Sequence, residues 1–200
     1  VFLAVMLRDT GLHPLAVFAL LLAATSAFGA AMGGLIHGLA MPPFIVTLAG
    51  MFLARGASYM LTIESVPIDH AFYDVLRSYY RMPGGGRLTL IGVTMLLAVV
   101  VGIILAHRTR FGTAVFAIGG GAQTARLMGV AVGRTTVLIY AFSGFMPGLS
   151  GIVFSIYTGS GYPLATEGTE LTAIATVVIG GTILTGGSGY VFGTLVGVLT

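Results

Sequence analysis

The residue whose type and setting best suit covalent chemistry is Ser150, which lies in the sequence Gly148-Leu149-Ser150-Gly151. A serine acts as a nucleophile when a histidine base lies within hydrogen-bonding distance of its hydroxyl. By the hydropathy pattern given below, every histidine falls in a loop or at a helix end, namely His13, His37, His70 and His107. We therefore expect Ser150 to be a packing residue and retain nucleophilic catalysis as an alternative.

Two glycine-rich segments resemble phosphate-binding loops in composition, Gly119-Gly120-Gly121 and Gly187-Ser188-Gly189. A phosphate loop of the nucleotide-hydrolysing type needs Gly-x-x-x-x-Gly-Lys-Ser/Thr, and this chain contains no lysine. The chain also lacks cysteine, which excludes disulfides and thiolate metal sites. We predict that this chain binds no cofactor and no metal. If ATP and Mg²⁺ drive its activity, partner subunits bind them.

The composition is that of a membrane protein. Of the 200 residues, 56% are hydrophobic and only 8% are charged, whereas a soluble domain carries about 25% charged residues. The mean hydropathy is +1.03. All nine basic residues are scattered arginines, a placement that favours membrane topology over nucleic-acid binding.

A membrane-crossing helix needs roughly 20 largely apolar residues. We predict an all-α, polytopic transmembrane helical bundle with about six membrane segments in one permease-like domain, residues 1–200. The apolar runs at both ends indicate a fragment truncated on either side. The predicted segments are Leu15–Ile36, Phe44–Thr62, Leu88–Ala106, Thr136–Thr158, the short Leu171–Leu184, and Tyr190–Thr200 as the start of another.

Charge predicts which loops face the cytoplasm. The segment 107–135 contains four arginines and no acid, and short arginine-rich loops stay on the cytoplasmic side. Counting spans from there places residues 37–41 inside, and residues 64–87 and 159–170 in extracytoplasmic loops. The loop 64–87 has three acids but also three arginines, so its bias is weaker.

The cytoplasmic segment contains a candidate docking helix. Ala122–Met128 has good helix formers, Gly119–Gly121 before it is expected to form a flexible break, and Gly129 is a natural helix stop. Exposed Leu127 and Met128 would suit a groove on another protein. The alternative is an amphipathic helix lying on lipid headgroups.

Small residues at helical spacing predict close helix packing in the membrane, or else the lining of a substrate path. They form three sets: Gly29 with Gly33, Gly144 with Gly148, and Gly189 with Gly193 and Gly197. Arg55 is the one charge well inside a predicted span. We expect it to extend to the outer surface or to form a structural pair, because charge is costly in lipid.

Several motifs together resemble the permeases of ribose-type monosaccharide ABC importers. Phe44–Met51 with Arg55-Gly56 is similar to that family's "PPFIxTLGM…RG" segment, and residues 109–130 to its "TRFG…AIGG…GV" loop. Residues 170–181 resemble its "ELxAIAxxVxGG" segment. Residues 83–88 and 154–162 are similar to permeases of galactofuranose importers in particular.

The resemblance implies an inner-membrane, multi-pass bacterial permease that forms a homo- or heterodimer. It also implies ATP-binding cassette ATPase subunits below and a periplasmic sugar-binding protein above, with lipid around and no nucleic acid. Its coupling loop maps onto residues 119–134. The residues we expect to contact the ATPase are Gly119, Gly120, Gln123, Arg126, Leu127, Met128 and Gly129.

Sugar sites need hydrogen-bonding groups among apolar walls. Side chains of that kind, which could line a substrate path, are Phe44, Thr47, Ser58, Tyr59, Tyr140 and Ser143. Two other functions stay open: an intramembrane serine protease of the rhomboid type using Ser150, and an ion-coupled secondary transporter. The second tends to carry ionisable residues at mid-membrane, and this chain has almost none there.

Overall fold

The computed structural model describes residues 1–70, 72–73, 76, 80–81, 87–88 and 90–199. Helices make up most of these residues, with two short antiparallel strand pairs between them. In chain order the elements are α1 (Phe2–Thr10), α2 (Pro14–Gly38), α3 (Pro43–Leu61), β1 (Val66–Pro67), β2 (Tyr80–Arg81), β3 (Arg87–Leu88), α4 (Leu90–Arg108), α5 (Arg110–Gly120), α6 (Ala122–Leu127), α7 (Val132–Thr158), β4 (Ser160–Gly161), α8 (Thr169–Ile179) and α9 (Val191–Leu199).

Four of these helices, α2, α3, α4 and α7, are long and apolar enough to cross a membrane. They coincide with the four long spans predicted from hydropathy, within a few residues at each end. The fifth predicted segment is indeed short, because α8 has 11 residues and ends before Gly180. The helix α7 continues through Pro147 without interruption.

Residues Val1–Ile91 and Thr136–Ala165 form one compact unit, in which α2 and α7 lie antiparallel with their backbones in contact. A methyl group on Gly33 would lie 2.9 Å from the Cα of Val137, and one on Gly29 would overlap the carbonyl of Tyr140. On the other side of the interface, Gly144 lies against the carbonyl of Thr25. The predicted glycine pairs therefore pack against the neighbouring helix, as small residues do in membranes.

An apolar cluster closes one end of this unit. Its buried members are Leu3, Ala4, Val17, Val66, Ile68, Tyr73, Ile152 and Ile156. Beside it, β1 pairs with β4, and the amide of Ile68 donates to the carbonyl of Gly159 at 2.8 Å. The segment after α3 therefore contacts the segment after α7. The sequence predicts both segments on the extracytoplasmic side of the membrane.

Residues Gly92–Thr135 and Thr166–Thr200 form the second compact unit. Here α8 and α9 form a tight antiparallel hairpin, in which Gly193 abuts the carbonyl of Gly180, and Gly197 that of Thr176. One expectation was wrong: Gly189 does not share a helix face with Gly193 and Gly197, because α9 begins only at Val191. Gly189 instead lies in the connecting loop, against the side chain of Thr182.

The predicted extracytoplasmic loop 64–87 falls only partly within the described residues. Asp74, Arg77 and residues 83–86 lie outside them, and so does Thr200. Of this loop, the described strands β2 and β3 pair Tyr80 with Leu88 and Arg81 with Arg87.

Candidate functional site

The candidate coupling segment begins at a sharp corner between α4 and α5, which Thr109 stabilises. Its Oγ1 donates to the carbonyl of Leu105 at 2.6 Å and accepts from the amide of Gly112 at 3.2 Å. Thr109 is therefore the N-cap of α5. Gly112 is buried against the carbonyls of Leu105 and Ala106, where a larger residue would overlap them. These contacts explain the threonine and the glycine of the Thr-Arg-Phe-Gly sequence in physical terms.

The flexible break predicted over Gly119–Gly121 is largely wrong. Helix α5 continues through Gly119 and Gly120, and only Gly121 departs from helical geometry, with extended backbone at φ 166°. Glycine disfavours helix by about 1 kcal/mol, but tertiary contacts compensate here. Gly119 lies directly against the backbone of Gly186 and Gly187 in the loop between α8 and α9.

The short helix predicted after Gly121 is present as α6, and Gly129 ends it. Gly129 has φ +85°, its amide donates to the carbonyl of Arg126 at 3.1 Å, and the amide of Val130 donates to that of Ala125 at 3.0 Å. This pair of bonds is the Schellman motif, which requires a left-handed residue after the helix. The sequence therefore predicted both ends of α6 correctly.

Helix α6 is buried at Ala125 and exposes large apolar side chains at its C-terminal end. Ala125 is fully buried, whereas Leu127 is 85% exposed and Met128 67% exposed. Gln123 and Arg126 are exposed as well. Exposed large apolar side chains indicate an interaction site and not a packing role.

Positive charge surrounds these exposed apolar side chains in sequence. The arginines of the segment are all exposed, namely Arg108, Arg110, Arg126 and Arg134. No acidic residue occurs between 107 and 135. The segment therefore offers apolar contact within a basic environment, which suits an acidic apolar groove or an anionic surface.

A histidine stack, which the sequence did not reveal, joins α4, α5 and the loop between α8 and α9. The ring of His107 lies 5.9 Å from that of Phe116 and 6.0 Å from that of Tyr190, nearly parallel to both. The three residues are separated by up to 83 positions in the chain, and no local pattern relates them. His107 therefore packs against two aromatic rings at the end of α4.

The candidate path residues on α3 do not form a single site. Thr47 and Ser58 are eleven residues apart, about 16 Å along the helix axis. Thr47 donates to the carbonyl of Pro43 at 3.0 Å, and Ser58 to that of Arg55 at 2.7 Å. Phe44 is 74% exposed and Tyr59 half-buried. These side chains could line a path along α3 but not one compact sugar pocket.

The two candidates on α7 differ in their surroundings. Tyr140 is half-buried and packs against Gly29 and Gly33, so its backbone has a packing role. Ser143 is exposed. Arg55 is half-buried, six residues before the end of α3, or about 9 Å from it.

The geometry around Ser150 does not favour catalysis. Ser150 is exposed on α7, and its neighbour Gly148 packs against Leu22 and Thr25 of α2. His13 caps the start of α2, nine residues before Leu22 and about 13 Å from it along the axis. The other histidines lie in the last turns of α2 and α4 and in the loop after β1.

Comparison with known proteins shows the family. Residues 1–200 match the family described as branched-chain amino acid transport system / permease component. The chain belongs to this family of transport-system permeases, which agrees with its all-α fold and its apolar helices.

Its relatives include named permeases of ABC transporters and sugar importers. The chain is 57% identical over 199 residues to the inner membrane ABC transporter permease protein YjfF of Escherichia coli, covering 99% of this chain and 60% of that protein. It is 38% identical to the fructose import permease protein FruG of Bifidobacterium longum, over 96% of this chain and 59% of that protein. It is 39% identical to the ribose import permease protein RbsC of Bacillus subtilis, over 80% of this chain and 49% of that protein.

The chain thus spans about 60% or less of the length of these relatives. No solved structure matches it.

Proposed function

We propose that this chain is part of the membrane permease of a binding-protein-dependent ABC importer for a monosaccharide. It forms part of the translocation path and catalyses no covalent reaction. ATP and Mg²⁺ bind to separate ATPase subunits, a periplasmic sugar-binding protein delivers the substrate, and a second permease subunit completes the path. The protein resides in a bacterial inner membrane with residues 107–135 in the cytoplasm and 64–87 outside.

The observation that carries this proposal is the exposed apolar face of α6, set in an acid-free segment with four exposed arginines. Leu127 projects from the side of the helix opposite the fully buried Ala125, and exposed Met128 follows it as the C-cap. The Schellman stop at Gly129 and the Thr109 corner hold the helix in place. A held helix with an exposed apolar face is the form in which one subunit inserts into a groove of another.

Sugar as the substrate class rests on the relatives. The family description mentions branched-chain amino acids, but the relatives named for a substrate import fructose, ribose or transport xylose. The resemblance in residues 83–88 and 154–162 points to galactofuranose within the sugars. Substrate choice is therefore best tested over several sugars, with leucine as the amino-acid comparison.

The test is transport by the full-length permease in proteoliposomes, together with its ATPase and binding-protein subunits. Labelled galactofuranose, ribose, fructose and xylose are supplied outside, and ATP inside. We expect accumulation of at least one sugar that requires both ATP and the binding protein, and no accumulation of leucine. Uptake driven by an ion gradient without the ATPase would contradict the proposal and favour a secondary transporter.

A further inference from the structure

We propose that the loop between α8 and α9, residues 180–190, is a mechanical relay that transmits movement of the coupling helix α6 to the α8–α9 hairpin. This inference rests on the proposed function, because it assumes that an ATPase moves α6. It adds a second element to the coupling apparatus, one that no ATPase need touch.

The first step of the relay is a contact between backbones. A methyl group on Gly119 would lie 2.6 Å from the amide nitrogen of Gly187, and one on Gly186 would lie 2.9 Å from the carbonyl oxygen of Gly119. No side chain intervenes, so the end of α5 and the loop are in direct contact. Close-packed contacts of this kind transmit displacement because neither backbone can yield by changing rotamer.

The second step is the histidine stack, an independent link between the same segments. His107 at the end of α4 lies between Phe116 of α5 and Tyr190 of the loop. Tyr190 is adjacent to Val191, the first residue of α9. The second half of the loop therefore contacts the coupling segment at two places, at Gly186–Gly187 and at Tyr190.

The loop has hydrogen bonds within itself, which a mechanical relay requires. The amide of Ile183 donates to the carbonyl of Ser188 at 3.3 Å, and the amide of Gly186 donates to the carbonyl of Ile183 at 3.0 Å. At its far end, Gly180 of the loop abuts Gly193 of α9. A shift of α5 and α6 would therefore move the α8–α9 hairpin, because the loop between α8 and α9 is too rigid to deform instead.

The test compares two glycines of the loop whose φ angles are both positive and nearly equal. Gly186 has φ +90° and Gly181 has φ +84°, so alanine strains both backbones alike. A methyl group at Gly181 meets nothing within 4 Å, whereas one at Gly186 collides with Gly119. Gly186→Ala therefore disturbs the relay contact, and Gly181→Ala is its control.

Full-length importers carrying each change are assayed for ATPase co-purification, ATP hydrolysis and sugar uptake. We expect Gly186→Ala to keep its ATPase subunits but lose uptake relative to Gly181→Ala by about fivefold or more, the lower end of coupling between sites. More ATP should be hydrolysed per sugar imported. Equal uptake and equal ATP consumption in the two variants would overturn the relay, as would loss of ATPase co-purification in Gly186→Ala alone.

If Gly186→Ala does not reach the membrane, Gly187→Ala tests the same contact with a milder clash, because its methyl group would lie 3.1 Å from the Cα of Gly120. Gly187 has φ +85°, so Gly181→Ala remains the control. The same loss of uptake with retained ATPase is expected, and normal uptake would overturn the relay. Failure of the unaltered permease to bind any ATPase would instead contradict the proposed function.

Discussion

The hydroxyl of Tyr73 lies 3.2 Å from Oγ of Ser155, and both side chains are buried. Ser155 already donates its proton to the carbonyl of Ile152 at 2.7 Å, so Tyr73 is the donor. This bond ties the loop after β1 to α7, 82 residues further along the chain. It lies within the apolar cluster at one end of the first unit.

Tyr73→Phe removes that hydrogen bond, while Ser155 keeps its bond to the carbonyl of Ile152. We expect a loss of about 1 kcal/mol in the free energy of unfolding. Tyr73→Ala also empties a site that is 1% exposed, and should cost about 3–5 kcal/mol. Unfolding of the purified permease in detergent measures both. Equal stability of the two variants would contradict the packing described for this cluster.

Gly33 and Gly34 are adjacent in α2 but differ in what faces them. A methyl group on Gly33 meets the backbone of Val137, while one on Gly34 meets nothing within 4 Å. We expect Gly33→Ala to destabilise the permease by about 1–3 kcal/mol through overpacking. Gly34→Ala should be neutral or stabilising, by up to about 1 kcal/mol, since alanine favours helix.

The midpoints of unfolding in detergent, determined side by side for these two variants, check the α2–α7 interface. If Gly34→Ala were the more damaging change, the assigned helix faces would be wrong.

The proposed topology is tested by cysteine labelling, which is straightforward because residues 1–200 contain no native cysteine. In an otherwise cysteine-free permease, a cysteine at Gln123 should resist an impermeant thiol reagent added to intact cells. A cysteine at Thr166, which is also exposed, should react under the same conditions. Reaction at Gln123 from outside would reverse the topology.

Ser150→Ala should leave sugar uptake nearly unchanged. Ser150 is exposed, and His13 at the start of α2 lies about 13 Å along the helix axis from Leu22, which contacts Gly148. Uptake is measured at matched membrane levels, with the unaltered permease as the comparison. Complete loss of activity in Ser150→Ala alone would restore the nucleophile hypothesis.

Hydropathy was sufficient to predict the four long helices, because a bilayer imposes both length and apolar character on each span. The ends of α6 were also predictable, since Gly129 is required by its left-handed backbone and acts locally. By contrast, β1 and β4 each have two residues, too few for an alternating pattern, and their paired residues are 95 and 93 positions apart in the chain, Val66 with Gly161 and Pro67 with Ser160.

Helix α5 was not predicted from the sequence, and here too a contact between distant residues is the reason. Its C-terminal glycines have poor helix propensity, and local reasoning predicts a break there. The contact that holds Gly119 in the helix comes from Gly186 and Gly187, far away in sequence. The candidate path residues were chosen by side-chain chemistry alone, and the structure separates those on α3 along the helix.

We propose that α6 docks on an ATPase subunit through Leu127. Leu127→Asp would place a charge in a desolvated groove, at a cost of about 2 kcal/mol or more in docking. The control is Ala122→Asp, which puts the same charge on the same helix. At 100° per residue, position 122 points about 140° away from Leu127, and an acid there suits the helix N-terminus.

The decisive measurement is ATPase co-purification with each full-length variant in detergent, alongside sugar uptake in cells. We expect Leu127→Asp to insert normally, lose its ATPase subunits and fail in uptake, and Ala122→Asp to retain both its ATPase subunits and its uptake. Normal co-purification and normal uptake by Leu127→Asp would contradict the role assigned to this helix.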